Sequence, residues 1–256
     1  MAEFQLIAHR GYPSRYPENT LVGFEQSIAV GARYLEADLQ FSAQATPYLF
    51  HDRELDRLCG RAGQIHRLSD AQLSHCHPGY PSRFGDRFSD IDLLSLEAMV
   101  ELLRRHPQVS LFLELKRTMT QVLSPSKSVA RILPLLQEVR PQVILISFSI
   151  QLLQQARRQG WQRVAPVLTR WYQLAHREVL ALEPEWVFLN RLRVPLGVGP
   201  GPKQGVPIVL YESSDIAQAR QLADRGFHWL ETDSIGEMLA AQRKSYEPEP
   251  YPRGGV

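Results

Sequence analysis

Seven side chains in the first half of the chain are of the types that together could handle a phosphate ester: His9, Arg10, Glu36, Asp38, His51, Glu114 and Lys116. Glu36 and Asp38 stand two apart in the run from Tyr34 to Gln40, YLEADLQ. In an extended strand they share one face, while Leu35, Ala37 and Leu39 take the other. Two like charges on one face repel, and a strand end tolerates them where a divalent cation or a basic partner neutralises them. Taken alone, the stretch reads equally well as a solvent-facing strand. Glu114 and Lys116 repeat the two-residue spacing in LFLELK, which points an acid and an amine the same way.

Three carboxylates, Glu36, Asp38 and Glu114, suit a hard cation such as Mg²⁺ or Ca²⁺. Arg10 and Lys116 add fixed positive charge, and His9 and His51 can donate and accept protons near neutrality. Cation, guanidinium and ammonium around one pocket imply an anionic substrate whose charge grows in the transition state, as a phosphodiester's does. One histidine would then deprotonate the nucleophile while the other protonates the leaving alkoxide.

Such a set works only if the fold gathers it. Short apolar runs alternate with helical patterns along the chain, the mark of parallel βα units. Strands are predicted at Leu6 to His9, Tyr34 to Gln40, Val109 to Leu115, Val143 to Ser147, Arg163 to Val167, Trp186 to Leu189, Pro207 to Tyr211 and His228 to Glu231. Helices are predicted between them: from Leu21 with Asn19 and Thr20 as caps, from Ser95, near Lys127 to Val139, from Ile150 to Gln159, around Tyr172 to Leu182, after Ser214 or Asp215, and last to about Lys244. Gly11 lets the chain turn as it leaves the first strand. Eight such units in about 250 residues predict a single (β/α)₈ TIM barrel, residues 1–246, whose site lies at the C-terminal strand ends where the polar set falls. Residues 53–94 are polar and irregular, a small insertion after strand two. The Gly- and Pro-rich stretch 191–206 leaves the sixth helix missing or degenerate. The tail 247–256 is expected to be disordered.

The 256-residue chain is 44% hydrophobic and 22% charged, with a net charge of +2. That near-neutral balance, without blocks of like charge, argues against a nucleic-acid partner. No apolar run reaches membrane-spanning length and the first residues show no export leader, so a cytoplasmic protein without stable membrane insertion is expected. Cys59 and Cys76 are too few for a disulfide framework.

The pieces HRG at His9, PENT at Pro17, ExD at Glu36, HD at His51, ExK at Glu114 and TD at Thr232 resemble, in order, the glycerophosphodiester phosphodiesterases. The resemblance implies a barrel that uses Mg²⁺ or Ca²⁺ to hydrolyse small glycerophosphodiesters to glycerol phosphate and an alcohol. In that family the glycerol's own hydroxyl is thought to attack phosphorus, giving a cyclic phosphate that water opens. Carried across, Glu36, Asp38 and Glu114 hold the metal, His9 and His51 are acid and base in an order left open, Arg10 and Lys116 bind phosphate, and Glu18 is a supporting group. Ser42, Gln44, Ala45, Tyr211, Ser214 and Ile235 depart from the family pattern, which bears on the alcohol headgroup.

Lysophospholipase D-type cleavage of lysophospholipids and an inactive phosphodiester-binding barrel are the alternatives, and the oligomeric state is open. His66, His75 and His77 have spacing poor for chelation and read as a polar loop. Trp161, Trp171, Trp186 and Trp229 read as core or barrel wall. Asp233 either orients a site group or caps the last helix.

Overall fold

The computed structural model describes residues 3–200 and 205–244; the expected disordered tail lies outside them. Its strands are β1 (Gln5–Ala8), β2 (Tyr34–Phe41), β3 (Pro47–Leu49), β4 (Ser110–Leu115), β5 (Val143–Ser147), β6 (Val164–Leu168), β7 (Val187–Asn190), β8 (Ile208–Tyr211) and β9 (Trp229–Thr232). All but β3 are parallel, and β1 pairs with both β9 and β2, which closes an eight-stranded (β/α)₈ barrel. The short β3 pairs antiparallel with the end of β2, Leu39 opposite Leu49. This hairpin turns the chain back over the barrel mouth.

The alternation of each strand divides the core. Outward residues such as Leu35, Leu39, Leu111, Leu113 and Leu145 pack beneath the helices with Phe24, Leu102 and Leu153. Inward residues Ile7, Phe112, Ile144, Ile146, Ala165, Val167, Phe188 and Val209 fill the barrel. Trp186 and Trp229 meet edge to face at 5.8 Å beside Tyr34 and Phe112, so the two indoles belong to the barrel wall, while Trp161 is fully buried and Trp171 packs edge-on to Phe227. Further along the same inward rows stand Glu36, Asp38, Glu114 and Glu231. The lining therefore changes from apolar to acidic along the strands.

The helices follow the expected order with two differences. The helix before β5, expected near Lys127 to Val139, is helical only over Pro125–Ile132. Pro134 lacks an amide hydrogen and crowds the turn before it, so the chain continues as a separate 3₁₀ stretch, Gln137–Gln142. The stretch around Tyr172 to Leu182 is two short pieces, Trp171–Ala175 and Arg177–Leu180, parted where His176 adopts an extended conformation. Asp215, rather than Ser214, caps its helix by accepting from the amides of Ala217 and Gln218. Between β7 and β8 the only helical element among the described residues is the short turn Arg191–Arg193.

Residues 53–94 hold short helical turns around a small core of Phe50, Leu55, Leu58, Ile65, Leu73, Cys76 and Leu93. His66 is buried there, and the His77 ring contacts the Ile91 carbonyl at 3.2 Å. Among the described residues no helix is long and apolar enough to cross a membrane.

Candidate active site

All seven residues singled out in the sequence converge at the C-terminal strand ends. Gly11 has a φ of +93°, and a Cβ on it would lie 3.0 Å from the backbone of Gly23. This close approach seats the turn after β1 against the helix Leu21–Ala29 and aims His9 and Arg10 over the barrel mouth. Arg10 reaches across three acids: its amide donates to Glu36 Oε2 at 3.1 Å, a terminal nitrogen to Glu18 Oε1 at 3.1 Å, and Nε forms an ion pair with Asp38 Oδ2 at 3.1 Å. Lys116 Nζ bridges Asp38 Oδ1 and Glu114 Oε1, each at 3.1 Å. Asn19 fixes Asp38 from both sides, donating to Oδ2 at 2.9 Å and accepting from its amide at 3.1 Å.

Glu36, Asp38 and Glu114 are all buried, and one oxygen from each lies within 4.8 Å of the others. Burial and the neighbouring Asp38 push the Glu36 carboxyl well above its ordinary range. Burial likewise raises Glu114 against the pull of Lys116. For Asp38 burial is outweighed by Lys116 and Arg10, which hold it below the carboxylate range. Three crowded carboxylates, two of them held high by burial and by Asp38, are a fitting donor set for a hard divalent cation.

Each histidine is oriented by its own aspartate. His9 Nδ1 lies 2.8 Å from Asp233 Oδ1, and Nε2 faces Glu36 at 3.9 Å. Burial and Arg10 oppose its positive charge, but the Asp233 hydrogen bond with Glu231 and Glu36 raises it to about 9. Asp233 thus orients a site group. His51 Nδ1 lies 2.7 Å from Asp52 Oδ1, which leaves Nε2 of both rings for the site. The loop carrying His51 is tied down by Gln40, whose amide nitrogen donates to the carbonyls of Phe50, His51 and Asp52 at 2.8, 3.1 and 2.6 Å.

Sequence reasoning missed Asn19, Gln40, Arg57 and Glu231. Gln40 continues the inward row of Glu36 and Asp38, a signal that was available. Arg57 lies inside the irregular insertion, where no period marks it. It bonds Asp52 at 2.6 and 3.0 Å and Glu18 at 2.8 and 2.7 Å. The oxygens and nitrogen of Glu18, His51 and Asp52 also cluster, but this guanidinium already occupies both of their carboxylates.

The mouth has two compartments. An inner chamber of about 180 Å³ is walled by His9, Arg10, Glu36, His51, Glu114 and Lys116 together with Ile146, Phe148, Val167, Phe188, Tyr211, Glu212 and Glu231. An outer basin of about 700 Å³ shares His51, Glu114, Lys116 and Phe148 with it and is otherwise lined by Asp52, Arg53, Glu54, Asp56, Arg57, Arg117, Thr118 and Thr169. Tyr211, which departs from the family pattern, donates to the Leu168 carbonyl at 3.0 Å, and Ser214 Oγ lies 3.2 Å from Thr232 Oγ1.

Residues 9–237 match the sequence profile of the glycerophosphoryl diester phosphodiesterase family. The chain belongs to that family. Among curated members, glycerophosphodiester phosphodiesterase 1 of Bos taurus is 29% identical over 171 residues, which is 66% of this chain and 50% of that protein. The Mus musculus protein of the same name is 33% identical over 111 residues, 43% of this chain and 33% of the other. The match thus spans a third to a half of these relatives' length. Among solved structures, an Oleispira antarctica phosphodiesterase in complex with the product sn-glycerol-3-phosphate superposes with a TM-score of 0.80 at 21% identity, covering 93% of this chain and 96% of that one. A glycerophosphodiester phosphodiesterase from Agrobacterium tumefaciens gives a TM-score of 0.73 at 23% identity, covering 93% and 99%. At these identities the structural likeness is one of fold.

Because Arg57 joins Glu18 and Asp52, Arg57→Ala is expected to destabilise this family member by about 1–3 kcal/mol at neutral pH, discounted for its partial exposure. For both carboxyls burial is outweighed by the bonds to their partners, Arg57 for Glu18 and His51 with Arg57 for Asp52, and both titrate below their ordinary values. They bind protons less tightly folded than unfolded, so their stabilisation is present above about pH 4 and lost as the pH falls. Urea unfolding at several pH values checks this: the gap between wild type and variant should close in acid, and equal stability at pH 7 would refute it.

Proposed function

We propose that this protein hydrolyses glycerophosphodiesters to glycerol phosphate and a small polar alcohol, with His9 and His51 transferring protons and Arg10 and Lys116 binding the phosphate. The observation that carries the reading is the pair of imidazoles, each held at Nδ1 by an aspartate and flanking a nest of three carboxylates. Glu36, Asp38 and Glu114 would hold Mg²⁺ or Ca²⁺. When bound, such an ion supplies Lewis acidity toward the phosphoryl oxygens.

His9, raised to about 9, enters the reaction as imidazolium at neutral pH and serves as the acid that protonates the leaving alkoxide. His51 serves as the base for the attacking hydroxyl. In the second step the roles reverse, and water opens the cyclic phosphate. Arg10 and Lys116 match the single charge of a diester. The outer basin, lined by charged side chains, favours a small polar leaving group over an acyl chain. The unpaired Cys59 and Cys76 suit a reducing, cytoplasmic setting.

If the glycerol hydroxyl is the nucleophile, a diester in which the hydroxyl next to the ester oxygen is replaced by hydrogen should bind yet turn over far more slowly. Phosphorus NMR on glycerophosphoethanolamine and its deoxy analogue tests this. Equal cleavage of both would mean that water attacks directly, and absence of glycerol phosphate from the natural diester would sink the functional reading itself.

A further inference from the structure

Glu231 is an acid of the inner chamber that bears on the chemistry above only through its charge, which helps to raise His9. It lies on β9 opposite Ile7, one inward position deeper than Asp233, the residue that holds His9 at the rim. That places it roughly 6–7 Å further down the strand direction. Only 3% of it is exposed, and the chamber it lines has Ile146, Val167, Phe188 and Tyr211 on its wall as well as His9, Arg10 and Glu36.

The other chamber acids near the catalytic set have partners: the Arg10 amide bonds Glu36, and Lys116 bonds Glu114. Among the described residues no hydrogen bond or ion pair reaches the Glu231 carboxyl. The carboxyl oxygens are not sealed in the wall but open onto the chamber, where they can accept a hydrogen bond from what enters; a leucine would line the wall without offering one. A polar group held open to a site in this way is suited to a ligand. The chamber's volume of about 180 Å³ admits a three-carbon polyol. A hydroxyl entering along the apolar side of the chamber would meet Glu231 as its hydrogen-bonding group.

Resting on the functional reading above, we propose that Glu231 is a specificity residue that hydrogen-bonds the distal hydroxyl of the substrate's glycerol, the one not adjacent to the phosphoester. With the phosphate at Arg10 and Lys116, the three-carbon chain points inward and its far end reaches this carboxyl. Glu231 thereby selects glycerol over a polyol one hydroxyl shorter.

The test is calorimetric binding of sn-glycerol-3-phosphate and of its analogue lacking only the distal hydroxyl, in the presence of Mg²⁺. Wild type is expected to prefer the glycerol compound by about 10- to 100-fold, the scale of a hydrogen bond to a buried acid. Glu231→Leu and Glu231→Met, apolar replacements of similar volume, should bind the two ligands within about threefold while keeping their affinity for the analogue. Glu231→Gln, which keeps an acceptor oxygen at the same reach, should retain most of the preference. Thermal unfolding of each variant establishes that it is folded. A wild-type preference that survives in a folded Leu or Met variant overturns this assignment alone, as does a wild type that binds both ligands equally. A wild type that binds neither ligand and cleaves no glycerophosphodiester overturns the functional reading and this assignment with it.

Discussion

Replacing His9 or His51 by alanine is expected to lower kcat on a glycerophosphodiester by about 10²- to 10⁴-fold, the range for loss of a positioned acid or base. The expectation rests on geometry: each ring is fixed by an aspartate at Nδ1, 2.8 Å for His9 and 2.7 Å for His51, so that Nε2 faces the chamber. KM should change much less, since Arg10, Lys116 and the carboxylates that frame the phosphate site are untouched. The rate should also fall as the pH rises through about 9, because the His9 proton, held by Asp233 against burial and Arg10, is then lost. Steady-state kinetics of both variants across pH checks the pair. Near-wild-type turnover in either single variant would remove that residue from the chemistry.

The second large effect concerns the acidic nest. Glu36→Gln, Asp38→Asn or Glu114→Gln each removes one of three oxygens that lie within 4.8 Å of one another. Loss of an outer partner of a bound metal costs about 10- to 100-fold in affinity or activity, and loss of a direct ligand is expected to exceed that. Metal affinity and turnover should fall together. Stability should not fall with them for Glu36 and Glu114, since burial already disfavours their charged forms. Asp38→Asn is the exception: it leaves Arg10 and Lys116 without a buried counter-charge and should destabilise the fold as well. Equilibrium dialysis against Mg²⁺ and urea unfolding separate the two outcomes.

Much of this was legible in the sequence because a parallel barrel writes its strands as short apolar runs between helices, and all eight barrel strands fall within about a residue of where the pattern places them. The charged set was legible because strand alternation forces Glu36 with Asp38, and Glu114 with Lys116, onto common faces. What was hidden depends on contacts between distant parts of the chain. Arg57 sits in a stretch without period and acquires its meaning only where the insertion folds back to bring it against Glu18. Asn19 reads as a helix cap, yet it clamps Asp38, while Thr20 caps the helix Leu21–Ala29. Glu231 reads as the last residue of a strand, and only the closed barrel shows that its carboxyl lines the inner chamber. The helix expected near Lys127 to Val139 stops at Ile132 because Pro134, without an amide hydrogen, cannot continue it.

The measurement that bears most directly on the central claim is turnover of glycerophosphocholine by the wild-type protein, followed by phosphorus NMR after removal of metal and again after adding Mg²⁺ or Ca²⁺. The expected result is no product in excess chelator and restored formation of glycerol phosphate and choline when a divalent cation is returned. Full activity in chelator, with no metal left in the protein, would contradict the assignment of Glu36, Asp38 and Glu114 as a metal site. Absence of glycerol phosphate under every condition would contradict the proposed hydrolysis of glycerophosphodiesters.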